Sequence, residues 1–95
     1  MNSTVDKIRV LVEKLALHKG KRGLVCRVFA PGAGSRAYTI VLEHSGVREQ
    51  FFLEPNLVAL YERSGMDQQI QNSVRMALHN LERLGKKHEN RNARN

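Results

Sequence analysis

The side chains able to do chemistry in this sequence are mostly cations, and they are unevenly placed. Residues 14–42 hold Lys14, Lys19, Lys21, Arg22, Arg27 and Arg36 and no acid, a local charge of +6 across 29 residues. Residues 83–95 carry five bases against Glu89, for +4. Between them, residues 43–82 carry six acids and three bases, and residues 1–13 balance, so the chain totals +7. Grouped cations without intervening carboxylates suit a phosphate backbone, because each neutralised phosphate releases condensed counterions. The run His18-Lys19-Gly20-Lys21-Arg22-Gly23 puts three cations on one turn. Its glycines allow close backbone approach, and Lys and Arg supply the charge. The same features also serve solubility and a plain helix-ending connector.

Other chemistry finds little support. Pro31-Gly32-Ala33-Gly34-Ser35-Arg36 resembles a phosphate cradle only superficially. It precedes a strand, so no helix dipole faces it, and it lacks the lysine that such a loop needs; it reads as a mobile hairpin loop from which Arg36 can still reach a phosphate. His18, His44, His79 and His88 lack metal-ligand spacing. Cys26 falls in an expected core strand and reads as an inert buried thiol. Glu43 and Glu49 alternate onto opposite strand faces and cannot act as a carboxylate pair. No nucleophile motif or base–nucleophile constellation is present. The expectation is a protein that is not an enzyme, with no cofactor and no metal.

Length and composition set the frame for these residues. Ninety-five residues, 41 % of them hydrophobic, are enough for one small core. No apolar run approaches the ~18–20 residues needed to span a bilayer. No secretory signal pattern is visible, and one cysteine excludes an intrachain disulfide. The expected setting is cytoplasmic, without membrane contact.

The elements that must position the cations follow from periodicity. Ser3 precedes Val5, Ile8, Leu11, Val12 and Leu15, a helical stripe with Asp6 in its first turn and Gly20 as its stop. Its β-branched content is a counter-signal. Strands are expected at 24–30, 37–44 and 47–53, the last two joined by Ser45-Gly46. That two-residue turn sets His44 against Val47, Glu43 against Arg48, Leu42 against Glu49 and Ile40 against Phe51, with the Glu43–Arg48 pair opposite in charge. Pro55 opens a short helix that Ser64-Gly65 closes. Asp67 opens a longer one over about 68–84, with Ile70, Val74, Ala77, Leu78, Leu81 and Leu84 on one side and Gly85 as its end. The predicted fold is α+β, in the order α-β-β-β-α-α. A three-stranded antiparallel meander carries an N-terminal helix and two C-terminal helices, packed mainly on one sheet face. Residues 1–85 form the domain, and residues 86–95, rich in Asn and bases, a disordered basic tail.

Alternation leaves Val25, Arg27, Phe29, Thr39, Val41, Arg48, Gln50 and Phe52 on the other sheet face. Such a face can stack bases, be covered by a helix, pair with a second copy or dock another protein. Residues 57–76 also admit a helix-turn-helix reading around Ser64-Gly65, with Gln68, Gln69, Gln71, Asn72 and Arg75 displayed. Against it, Ser64 and Gln71 occupy expected apolar positions and the region is acidic. A helix, three strands and a helix is also the element order of double-stranded-RNA-binding domains and some small ribonuclease toxins, a resemblance of element order only. Where the RNA-binding domains begin their last helix with Lys and Ala, this chain reads Asp67-Gln68-Gln69-Ile70-Gln71-Asn72.

The resulting expectation is a small nucleic-acid-binding protein, RNA slightly preferred to DNA, making phosphate contacts of weak sequence preference. The contacts fall to Lys19, Lys21, Arg22, Arg27 and Arg36, with Lys86, Lys87, Arg91 and Arg94 assisting. The alternative is a protein-interaction module, an adaptor, regulator or inhibitor, docking through its sheet face or last helix. Phe29, Val41 and Phe52 would form the interface, including that of a possible homodimer.

Overall fold

Ser3 starts the first helix, α1 (Thr4–His18): its Oγ accepts the Asp6 amide at 3.2 Å, and Asp6 lies in the positive first turn. The structure, a computed structural model, describes residues 3–32, 34 and 36–93, with side chains through residue 85. Ile8, Val12 and Ala16, four residues apart, form the buried stripe of α1. The helix ends in a Schellman arrangement. The Lys21 amide donates to Ala16 O at 2.9 Å and the Gly20 amide to Leu17 O at 3.0 Å, with Gly20 at φ 75°.

Three antiparallel strands follow in sheet order β1 (Val25–Phe29), β2 (Tyr38–His44), β3 (Val47–Leu53). The first two are shorter than expected by one residue at each free end of 24–30 and at the start of 37–44. Ser45 and Gly46 both have positive φ, 52° and 77°, the backbone of a type I′ turn whose twist matches the strands. The turn fixes the register: Tyr38 faces Leu53, Ile40 faces Phe51, Glu43 faces Arg48 and His44 faces Val47.

Pro55 opens α2 (Pro55–Ser64), and Gly65, at φ 74°, closes it by donating its amide to Tyr61 O at 2.8 Å. The last helix, α3 (Gln68–Ala93), begins as the Gln71 amide donates to Asp67 O at 2.8 Å.

Two expectations about α3 are corrected. The helix does not stop at Gly85, and the backbone over 86–93, expected without regular structure, is helical. One glycine in a helix interior costs only about 1 kcal/mol relative to alanine. That is too little to stop a helix anchored by a buried stripe and continued by Lys, Glu and Arg. Residues 94–95 lie outside the described residues. Among the described residues the buried stripe of α3 runs from Ile70 to Leu81, and Leu84 is 41 % exposed.

Helices α1 and α3 lie on one sheet face, α1 over β1 and α3 over β3. Ile8, Val12 and Ala16 meet Cys26, Ile40, Leu42 and Leu53 there, with Val58, Ile70, Val74, Ala77, Leu78 and Leu81 completing the core. The opposite face is left bare, with Val25, Phe29 and Phe52 exposed.

Candidate nucleic-acid interface

The acid-free stretch folds into a path rather than a cluster. Lys19 and Arg22 sit on the turn between α1 and β1, Arg27 stands outward at the middle of β1, and Arg36 closes the loop before β2. From Val25 to Phe29 the strand covers roughly 14 Å at about 3.4 Å per residue, so the cations span the length of one sheet edge. Lys14, Lys19, Arg22, Arg27 and Arg36 are all exposed, and none forms an ion pair among the described residues.

Lys21 is placed differently from its neighbours. Its Nζ pairs with Glu82 of α3 at 2.9 Å, and its side chain is only 17 % exposed. The Schellman turn brings Lys21 to α3, whereas Lys19 and Arg22 stay exposed. A second tie holds the turn to the hairpin. His44 Nε2 lies 3.1 Å from the Arg22 carbonyl, which can only accept, so Nε2 carries the donated proton. The Ser45 hydroxyl stands 3.4 Å from Nδ1 of the same ring.

The turn also borders a surface pocket of about 340 Å³ lined by Leu15, His18, Lys19, Arg75 and Leu78. Arg75 Nη2 is oriented by Gln71 Oε1 at 3.4 Å. Among the described residues no carboxylate lines this pocket, so its donors suit an anion.

Among the described residues, half of the acids of residues 43–82 are engaged by cations. Glu43 accepts from Arg48 at 2.9 Å, Glu62 accepts from Thr4 at 2.8 Å and faces Lys7 at 3.9 Å, and Glu82 holds Lys21. Three of the six acids of this segment thus stand beside cations. The Lys21–Glu82 pair sets α3 beside the basic turn, and the backbone of α3 continues from there to Ala93. The side chains of Lys86, Lys87 and Arg91, and all of Arg94, lie outside the described residues.

The outer sheet face is ordered in three cross-strand rows. Phe29, Thr39 and Phe52 form one, Arg27, Val41 and Gln50 the next, and Val25, Glu43 and Arg48 the third. Phe29 and Phe52 are 54 % and 58 % exposed, whereas Val41, on the central strand, is half-buried. Phe29, Val41 and Phe52 therefore share one face, as expected from alternation.

The remaining candidates are structural. Burial, and then the charge of Glu13, pushes the Cys26 thiol up to about 12, with Arg9 opposing, so it is no nucleophile at neutral pH. Among the described residues, no group of three His, Cys, Asp or Glu side chains could hold a metal ion. None of their helices is long and apolar enough to cross a membrane. In the helix-turn-helix segment, Ser64 is exposed and returns its hydroxyl to Leu60 O at 2.7 Å, while Gln71 is half-buried.

Comparison with known proteins yields no match: no family model, no curated protein and no solved structure is similar to this chain.

Three residues join the site without having been singled out for it. Glu82 clamps Lys21 from 61 positions away, His44 anchors Arg22, and Arg75 meets Lys19 at the pocket. Only His44 carried a signal, since a residue flanking the hairpin turn must lie at the sheet end where the basic turn enters.

Proposed function

We propose that the protein binds nucleic acid, RNA in preference to DNA, chiefly through its phosphates and with weak sequence preference. The observation that supports this reading is the run of exposed cations Lys19, Arg22, Arg27 and Arg36 from the α1 turn along β1, none of them in an ion pair among the described residues. Phosphate contacts position a chain without reading its bases, which fits a path of exposed Lys and Arg side chains. A cytoplasmic setting accords with a single free and buried cysteine. The exposed Phe29 and Phe52 favour a second reading, a docking module for another protein.

Fluorescence anisotropy with labelled single-stranded RNA, single-stranded DNA and duplex DNA separates the two. Four phosphate contacts on a single strand give a log–log salt slope near −2.8, at about 0.7 per contact. Affinity then falls roughly 50-fold between 50 and 200 mM salt. Absence of binding at 50 mM, or binding indifferent to salt, would refute the nucleic-acid reading.

A further inference from the structure

We infer that the bare sheet face is a stacking platform for the bases of single-stranded nucleic acid, with Phe29 and Phe52 as its two stacking rings. This rests on the nucleic-acid reading above and names its substrate class. The rings stand on the two outer strands of one row, with Thr39 between them. At about 4.8 Å between strands they are set roughly 10 Å apart, over a low floor. Each has a polar neighbour two residues away on the same strand and face: Arg27 beside Phe29, Gln50 beside Phe52. An aromatic ring offers every base a stacking surface regardless of sequence. A guanidinium reaches a phosphate or stacks in turn, and an amide both donates to and accepts from a base edge.

Charge distinguishes the β1 side of the platform. Arg27 is unpaired on the face and Arg36 stands just beyond its Phe end, whereas Glu43, its one carboxylate, is held by Arg48 at 2.9 Å. Exposed Glu54 follows β3, which directs the phosphates to the β1 edge and leaves the β3 side to bases. A duplex does not fit, because its bases are already stacked and its grooves admit at most a two-stranded ribbon or a helix.

Size and charge also argue against a second copy. Three strands by five residues make a footprint of roughly 14 by 17 Å, about 240 Å². A stable dimer buries about 800 Å² on each partner. Isologous pairing would enclose Arg27 of both copies, with the one carboxylate of each face already engaged.

The test uses the full chain, a labelled 12-nucleotide oligouridine and a 12-base-pair DNA duplex at 50 mM salt. The double variant Phe29→Ala/Phe52→Ala should melt like wild type, since both rings are exposed. It should bind oligouridine at least about 30-fold more weakly, taking the lower end of base–aromatic stacking for two bases. Its salt slope and its duplex affinity should be unchanged. Phe29→Tyr/Phe52→Tyr should restore binding, and Phe29→Leu/Phe52→Leu should not. Failure of wild type to bind either probe removes the nucleic-acid reading and the platform together. Undiminished oligouridine binding by the Ala or Leu variant removes the platform alone. A wild-type dimer that Phe52→Glu dissociates, with no loss of oligouridine binding in the Ala variant, assigns the face to a second copy instead.

Discussion

Replacing Lys19, Arg22, Arg27 and Arg36 together by Ala should strip the phosphate-binding path while leaving the fold in place. All four side chains are exposed and unpaired among the described residues, and none belongs to the core. Each substitution should therefore change stability by no more than about 0.5 kcal/mol. If each cation meets one phosphate, the log–log slope on single-stranded RNA should become shallower by about 2.8, at 0.7 per contact. A duplex that takes the same four contacts should lose about 3.6, at 0.9 each. The natural control is Lys21→Ala, because Lys21 is tied to Glu82 at 2.9 Å and is largely buried. That variant should leave the slope nearly unchanged and lower stability by about 0.5–1 kcal/mol, the upper range for a partly exposed ion pair. The assay is anisotropy across a salt series, with a thermal melt by circular dichroism for each variant. A fourfold variant that melts like wild type and keeps its full slope would show that these cations touch no phosphate.

Three further outcomes test the structure beneath the site. With its thiol raised from 9.0 to about 12 by burial, Cys26 should react with iodoacetamide at pH 8 about a thousandfold more slowly than in the urea-unfolded chain; equal rates would contradict its burial. The folded thiol holds its proton where the unfolded one loses it, so stability from this group is intact below pH 9 and declines as pH rises from 9 to about 12 in urea titrations. Ile40→Ala, at a fully buried position of the central strand, should cost about 2–5 kcal/mol by urea unfolding, and a loss below ~1 would mean that β2 is not central to the core. Gly65→Ala should cost about 1 kcal/mol through backbone strain alone, since φ is 74° and nothing lies within 4 Å of the added Cβ; a neutral effect would argue against the left-handed stop of α2.

The elements were legible wherever a local signal carries its own geometry. Ser3 and Gly20 bound α1, Pro55 and Gly65 bound α2, and Ser45-Gly46 fixed the hairpin register, from which the shared face of Phe29, Val41 and Phe52 followed by alternation. What was not legible depended on packing or on distance along the chain. Gly85 reads as a stop because glycine is a weak helix former, yet a helix already anchored by Ile70, Val74 and Leu78 runs past it. Leu84 continues the apolar spacing but is 41 % exposed. Lys21, Arg22 and Lys19 look equivalent in sequence, and only the return of the chain at Glu82 makes the first a strut and leaves the others free. Arg75 and Lys19 share a pocket because α1 and α3 cross there, which no short-range pattern encodes.

The most direct measurement is a two-dimensional ¹H–¹⁵N titration of the labelled protein with oligouridine at low salt. Binding along β1 predicts graded shifts at the amides of Lys19, Arg22, Arg27, Phe29, Arg36 and Thr39, joined across the sheet by Gln50 and Phe52, with α2 unmoved. Absence of any shift at saturating oligonucleotide, or shifts confined to residues 55–72 of α2 and the start of α3, would contradict it.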